Sequence, residues 1–188
     1  MKHCAPLTVL LIALSIPAGH PAAQDWKPVG AEDASIVFTV PAMSGLLRTF
    51  GRRTSSNKLG HEEWGVWEGG KQQPLAFTFT LMTSPGAVIR SGVDHKGFVG
   101  DLEILKEAPI QWGRDGKTRN VLGAIKYTAF SWSERACIGF KQYFGQRPAD
   151  DGLNFGAHVV VGFYCASPRE SLSDEGIETV LGSIRFRK

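Results

Sequence analysis

The sequence predicts an α+β domain: a mostly antiparallel sheet with one mid-chain helix, one C-terminal helix and one disulfide. Three observations lead there. Short runs of β-branched and aromatic residues recur along the chain, several of them alternating with period two, and turn-forming residues separate them. The apolar spacing becomes helical in two places only, around Phe98 to Leu105 and after Ser173. Glycine supplies 22 of 188 residues, a density that suits a sheet with many tight turns. Strands adjacent in sequence with helices set apart are the pattern of an α+β fold. A hydrophobic content of 43% and a charged content of 21% are those of a globular chain and exclude a disordered one. The formal charge of +3 is too small to argue for nucleic acid, whose binders cluster Lys and Arg far more strongly.

The first 23 residues read as a signal peptide. Lys2 gives the positive start, Leu7 to Ile16 the apolar stretch, and Pro17, Gly19 and Pro21 break any helix before the small residues Ala22 and Ala23. Cys4 lies ahead of the apolar stretch and is expected to leave with it. Residues 24–188 then form one α+β domain. No later segment approaches the ~20 apolar residues of a membrane span, so the mature chain is expected to carry no transmembrane segment. It is expected to be secreted, and periplasmic if the host has two membranes.

Along that domain, Ala34 to Val40 reads as a strand, Gly51 to Gly60 as a polar, basic loop, and Trp64 to Glu68 as a short strand closed by Gly69-Gly70. Pro74 to Met82 alternates clearly. Phe98, Leu102 and Leu105 are spaced for an amphipathic helix that Pro109 ends. Ala124 to Trp132 and Ala136 to Phe144 are strands joined at Ser133-Glu134, and Ala157 to Cys165 is a third strand after a Pro- and Asp-bearing loop. Ser173 is the expected N-cap of the last helix, with Asp174 and Glu175 at its positive end and Ile177, Val180, Leu181 and Ile184 as its buried stripe. Arg185, Arg187 and Lys188 suit its negative end.

Cys137 and Cys165 form an even pair in a chain expected outside the cytoplasm, which predicts a disulfide. A symmetric antiparallel closure about Asp151 places Cys137 opposite Cys165, Gly139 opposite Phe163 and Phe140 opposite Gly162. Opposed residues lie ~4.5–5.5 Å apart at Cα, within disulfide range, and glycine opposite an aromatic lets the ring cover bare backbone. Closing a loop of this span is worth about 3.5 kcal/mol on the chain-entropy account.

Cys137 to Phe140, Gln142, Gly145, Gly162-Phe163-Tyr164-Cys165-Ala166, Leu172-Ser173-Asp174-Glu175 and Ile184 together resemble a group of uncharacterised secreted proteobacterial proteins. Those proteins carry an aromatic-Cys pair at the same place before a final helix. The resemblance covers residues 120 to 185. It implies export and the disulfide, and it transfers no catalytic residue.

Searches for catalytic patterns return little. Gly116-Lys117-Thr118 ends like a phosphate-binding loop, but Gln111 stands where the first glycine must let the backbone cradle phosphate. The stretch reads as a connecting loop with Asp115-Gly116 as its turn. Ser55-Ser56-Asn57-Lys58 has the S-x-x-K spacing without the helix or the companion motifs that chemistry needs. His61, His95 and His158 have no ligand-type spacing, so no metal and no cofactor is expected. Arg48, Arg52, Arg53 and Lys58 offer positive charge to an anionic partner, and Trp64 and Trp67 offer an aromatic surface; in a strand those two tryptophans point to opposite faces. The binding candidates are therefore Arg52, Arg53, Trp64 and Trp67. The expected function is that of a non-catalytic binding or accessory module of the cell envelope, with an envelope ligand or protein as partner. The alternative is a small envelope hydrolase using His158 with Asp150 or Asp151.

Overall fold

A computed structural model describes residues 26–55, 60–84, 87, 89, 90, 92, 94–145 and 155–187. The expected signal peptide, Lys58, Asp150 and Asp151 lie outside them. In chain order the elements are β1 (Lys27–Val29), β2 (Ile36–Phe38), β3 (Leu47–Thr54), β4 (Gly60–Glu68), β5 (Leu75–Thr83), β6 (Ile89–Arg90), α1 (His95–Gly100), β7 (Gln111–Asn120), β8 (Gly123–Trp132), β9 (Arg135–Phe144), β10 (Phe155–Gly156), β11 (His158–Cys165), α2 (Asp174–Gly182) and β12 (Ile184–Phe186).

Eight strands form one sheet in the order β1-β3-β4-β5-β11-β9-β8-β7, with every neighbouring pair antiparallel. Two small ribbons, β6–β10 and β2–β12, accompany it. The alternation in β5 is the reason for its central place: Ala76, Thr78, Thr80 and Met82 are buried, while Phe77, Phe79 and Leu81 on the other face are half-buried. Because adjacent residues point to opposite faces, the sheet carries a core on each side. One unites Ile36, Phe38, Trp67, Phe140, Ile177 and Leu181 beneath α2 and the β2–β12 ribbon. The other unites Val99, Leu105, Phe130, Cys137 and Phe163 beneath α1 and the turn that follows it.

The β9–β11 pair has the register that symmetry about Asp151 requires. Cys137 faces Cys165, Gly139 faces Phe163, and Phe140 faces Gly162. The disulfide joins Cys137 to Cys165 across 4.1 Å of Cα separation. Ser173 caps α2 by accepting from the Gly176 amide, and the Arg185 guanidinium donates to the Gly182 carbonyl at the other end. Among the described residues, no helix is long and apolar enough to cross a membrane.

Four sequence expectations need correction. The polar stretch after Phe50 continues β3 as far as Thr54, because its charged side chains meet complementary partners on β4. Residues 111–120 are a ten-residue edge strand, with a register shift between Trp112 and Asp115. An edge strand has one neighbour and a polar outer surface, so it lacks the apolar alternation that identifies a strand from sequence. The mid-chain helix stops at Gly100, and a 3-10 turn, Glu103–Leu105, carries the chain on; Gly97 and Gly100 weaken a longer helix. Ile184 is buried as expected, but as the first residue of β12, since α2 ends at Gly182.

Candidate functional site

Arg52 and Arg53, expected as exposed charges, are committed to partners across the β3–β4 pair. Arg52 Nε donates to Glu63 Oε2 at 2.9 Å, and Arg52 Nη2 donates to the same oxygen at 2.5 Å. Nη2 also reaches the Asp33 carbonyl at 2.8 Å and Ser35 Oγ at 3.1 Å. Glu63 is only 3% exposed and further accepts from the Ser35 amide at 2.7 Å. Arg53 Nε donates to Glu62 at 2.7 Å, and its guanidinium lies 4.4 Å from the centre of the Trp26 ring.

The tryptophans divide as strand alternation requires. Trp67 is fully buried and meets Phe38 and Phe50 edge-to-face at 5.1 and 5.2 Å, so it has no surface for a ligand. Trp64 is half-buried on the other face, where its indole covers Gly51; a Cβ there would lie 2.6 Å from the ring nitrogen. Trp26 meets it edge-on at 6.2 Å.

His158 is half-buried, stacked on Phe186 at 5.4 Å and tilted against Phe144 at 5.1 Å. Its Nδ1 is buried without a hydrogen-bond partner. Burial, and then the nearby His61, lower its pKa. The fold brings these two histidines, distant in sequence, into one cross-strand row on either side of Met82. Among the described residues, no group of three or more His, Cys, Asp or Glu side chains is placed to hold a metal ion.

A concavity lined by charged residues lies elsewhere. A cleft of about 630 Å³ opens between the start of α1 and strands β7, β8 and β9. Asp94, His95 and Lys96 line one side; Asp115 and Lys117, Lys126, and Lys141 line the other from β7, β8 and β9 in turn. Lys117 pairs with Lys126, and Lys126 pairs with Lys141. Three lysines therefore stand side by side on one face of three adjacent strands. Directly opposed like charges oppose folding, and the carboxylate of Asp94 acts on Lys141 in the opposite sense.

In the neighbouring row, Asp115 faces Thr128. Thr128 Oγ1 donates to Asp115 Oδ1 at 2.5 Å, and His95 Nε2 lies 2.9 Å from the same hydroxyl. A hydroxyl has one proton, already given to Asp115, so His95 donates through Nε2–H. Lys96 Nζ meets Asp115 Oδ1 at 3.0 Å. The Thr128 hydrogen bond, and then Lys96, hold the Asp115 carboxyl below its ordinary pKa. Burial and then the charge of Lys126 push the Lys141 ammonium down; burial and then Lys141 do the same to His95. The cleft is thus a positive site in which the carboxylate of Asp115 is already engaged.

Sequence reasoning missed this site, although two of the three lysines in the row were within reach. A two-residue turn at Ser133-Glu134 pairs Lys126 with Lys141 by register alone. Lys117 was hidden because its strand reads as a loop, and α1 reaches the cleft only through tertiary packing. No family model matches the chain, and no curated protein or solved structure matches it.

Proposed function

We propose that this protein is an exported binding module of the cell envelope, without catalytic activity, that holds an anionic ligand in the cleft between α1 and strands β7–β9. The observation that carries this reading is the row Lys117–Lys126–Lys141 facing Lys96 and His95. An anion that binds the folded chain there stabilises it, so binding and stability are linked. The charged start, apolar stretch and small-residue exit of residues 1–23 support export. The Cys137–Cys165 disulfide fits an oxidising compartment. The same features support secretion, or residence in a periplasm where the host has two membranes.

The test is thermal unfolding at low ionic strength with increasing concentrations of polyvalent anions. The expected result is a rising Tm in the native protein and a loss of most of that rise in Lys126→Met. A Tm indifferent to every anion in both proteins would remove the reading.

A further inference from the structure

We infer that this protein carries a second site, separate from the lysine cleft, in which His61, Met82 and His158 hold a monovalent copper ion. Register is the first argument. His61 in β4 faces Met82 in β5, and Met82 faces His158 in β11. Residues paired across antiparallel strands project from the same face of a sheet, so the three side chains form one row. Adjacent strands lie ~4.8 Å apart, and an ion above the central strand therefore has one imidazole rising on each side of it. Both histidines are half-buried, which leaves an approach from solvent.

The state of the donors is the second argument. Met82 is 3% exposed, yet it joins neither apolar core among the described residues. The Cδ2–Nε2 edge of His158 lies against Gly145, where an added Cβ would meet Cδ2 at 2.8 Å. Nδ1 is on the opposite edge of that ring, and the other neighbour of β11 is β5. That nitrogen is buried without a hydrogen-bond partner, a cost that a bound cation removes. Burial also favours the neutral form of both rings, the form that binds metal. The third argument is charge and softness. Two imidazoles and a thioether bring no negative charge, and Glu63, two residues along the same face, is already engaged by Arg52 and Ser35. A divalent ion without an anionic ligand is costly to bury, and a monovalent ion far less so. Thioether sulfur is soft and selects monovalent copper, which imidazole also suits. Cys137 and Cys165 offer no competing thiolate, because the disulfide joins them.

The experiment titrates the purified exported protein, without oxygen, with monovalent copper in competition with bicinchoninate, a coloured chelator of that ion. Zinc is titrated separately, and X-ray absorption at the copper edge reads the atoms bound to the metal. The native protein is expected to withdraw one equivalent of copper from the chelator, to bind it through both nitrogen and sulfur, and to gain Tm when loaded. Zinc is expected to bind more weakly than copper. His61→Gln, Met82→Leu and His158→Gln are each expected to weaken copper at least about tenfold, since even loss of a group behind a metal ligand costs ~10–100-fold. Met82→Leu conserves volume, so lost copper affinity with a nearly unchanged metal-free Tm separates a ligand role from damage to the fold. Met43→Leu, the same change within the core beneath α2, should leave copper affinity unchanged. Should a histidine variant fail to fold, the sulfur signal of the native protein and the affinity of Met82→Leu carry the test. No copper withdrawn from the chelator overturns the site, and affinity unchanged in all three variants overturns its location. Zinc bound more tightly than copper, or copper affinity that survives Met82→Leu, overturns the thioether ligand and with it the choice of monovalent copper. Copper and anions are read in separate titrations, so either reading can fail alone.

Discussion

Glu63 shows how one side chain can organise a sheet edge. Its carboxylate is buried yet fully engaged, accepting from Arg52 in β3 and from the amide and hydroxyl of Ser35. Removing one partner of a buried charge leaves the other uncompensated and costs more than the pair is worth as a whole. Arg52 is 35% exposed, so water recovers part of that cost. Arg52→Met is therefore expected to lower the unfolding free energy by about 2 kcal/mol in urea titration. Arg53→Met, which removes a half-buried pair whose carboxylate is less deeply buried than that of Glu63 and a ring contact, should cost about 1 kcal/mol. Equal losses in the two variants would contradict the distinction. Neither partnership is visible in a sequence read locally, because Arg52 and Glu63 are opposed only once β3 is known to be a strand. The two tryptophans illustrate the same limit. Alternation states that Trp64 and Trp67 face opposite ways, but only the packing of Phe38 and Phe50 around Trp67 decides which face is the deeper core.

At the scale of elements, the hairpins were the most legible part of the chain. Register follows from turn length, and one buried face makes a slip costly. The β8–β9 turn adds a specific expectation. Ser133 and Glu134 have φ of 48° and 62°, the left-handed pair of a two-residue hairpin that favours Asn-Gly. The double change Ser133→Asn, Glu134→Gly should raise stability by about 1 kcal/mol, read as a higher urea midpoint with an unchanged slope. A lower midpoint would show that the exposed contact of Glu134 with Arg169 outweighs backbone strain. β7 was the least legible element, since its outward residues are polar and its single neighbour is β8. That omission concealed Lys117 and with it the third member of the lysine row. The mid-chain helix was legible as apolar spacing but not as length: Leu105 is buried beside Trp132, whose indole donates to the Leu105 carbonyl, and a 3-10 turn serves that contact as well as an α-turn would.

For the whole molecule, the three described histidines act in the same direction. Burial is the first cause that lowers the pKa of His61, His95 and His158 from the ordinary 6.5. The unfolded chain therefore binds protons more readily than the folded one in the range just below 6.5. Stability from this source is fully present above that value and is lost as pH falls toward the folded-state pKa values. The unfolding free energy should decline between about pH 7 and pH 5, with a shallower slope in the triple variant His61→Gln, His95→Gln, His158→Gln. An identical slope in both proteins would assign the acid sensitivity to carboxylates instead. At the alkaline end, burial and then Glu170 raise Tyr164 to about 12, so the folded state keeps its proton while the unfolded chain loses it, and stability falls as pH climbs above 10.

The sequence by itself determined the antiparallel α+β class, the hairpin register that sets Cys137 against Cys165, the cap of α2 and the opposed facing of Trp64 and Trp67. Each depends on spacing over a few residues or on one turn, and local periodicity is written directly into the chain. Tertiary structure alone decided that Arg52 and Arg53 neutralise β4, that His61 and His158 flank Met82, and that α1 stands beside a row of lysines drawn from three strands. Those juxtapositions depend on which elements become neighbours, and that is settled by burying apolar area on both faces of the sheet. The charged residues of the cleft contribute little to that burial; they are carried into place by it.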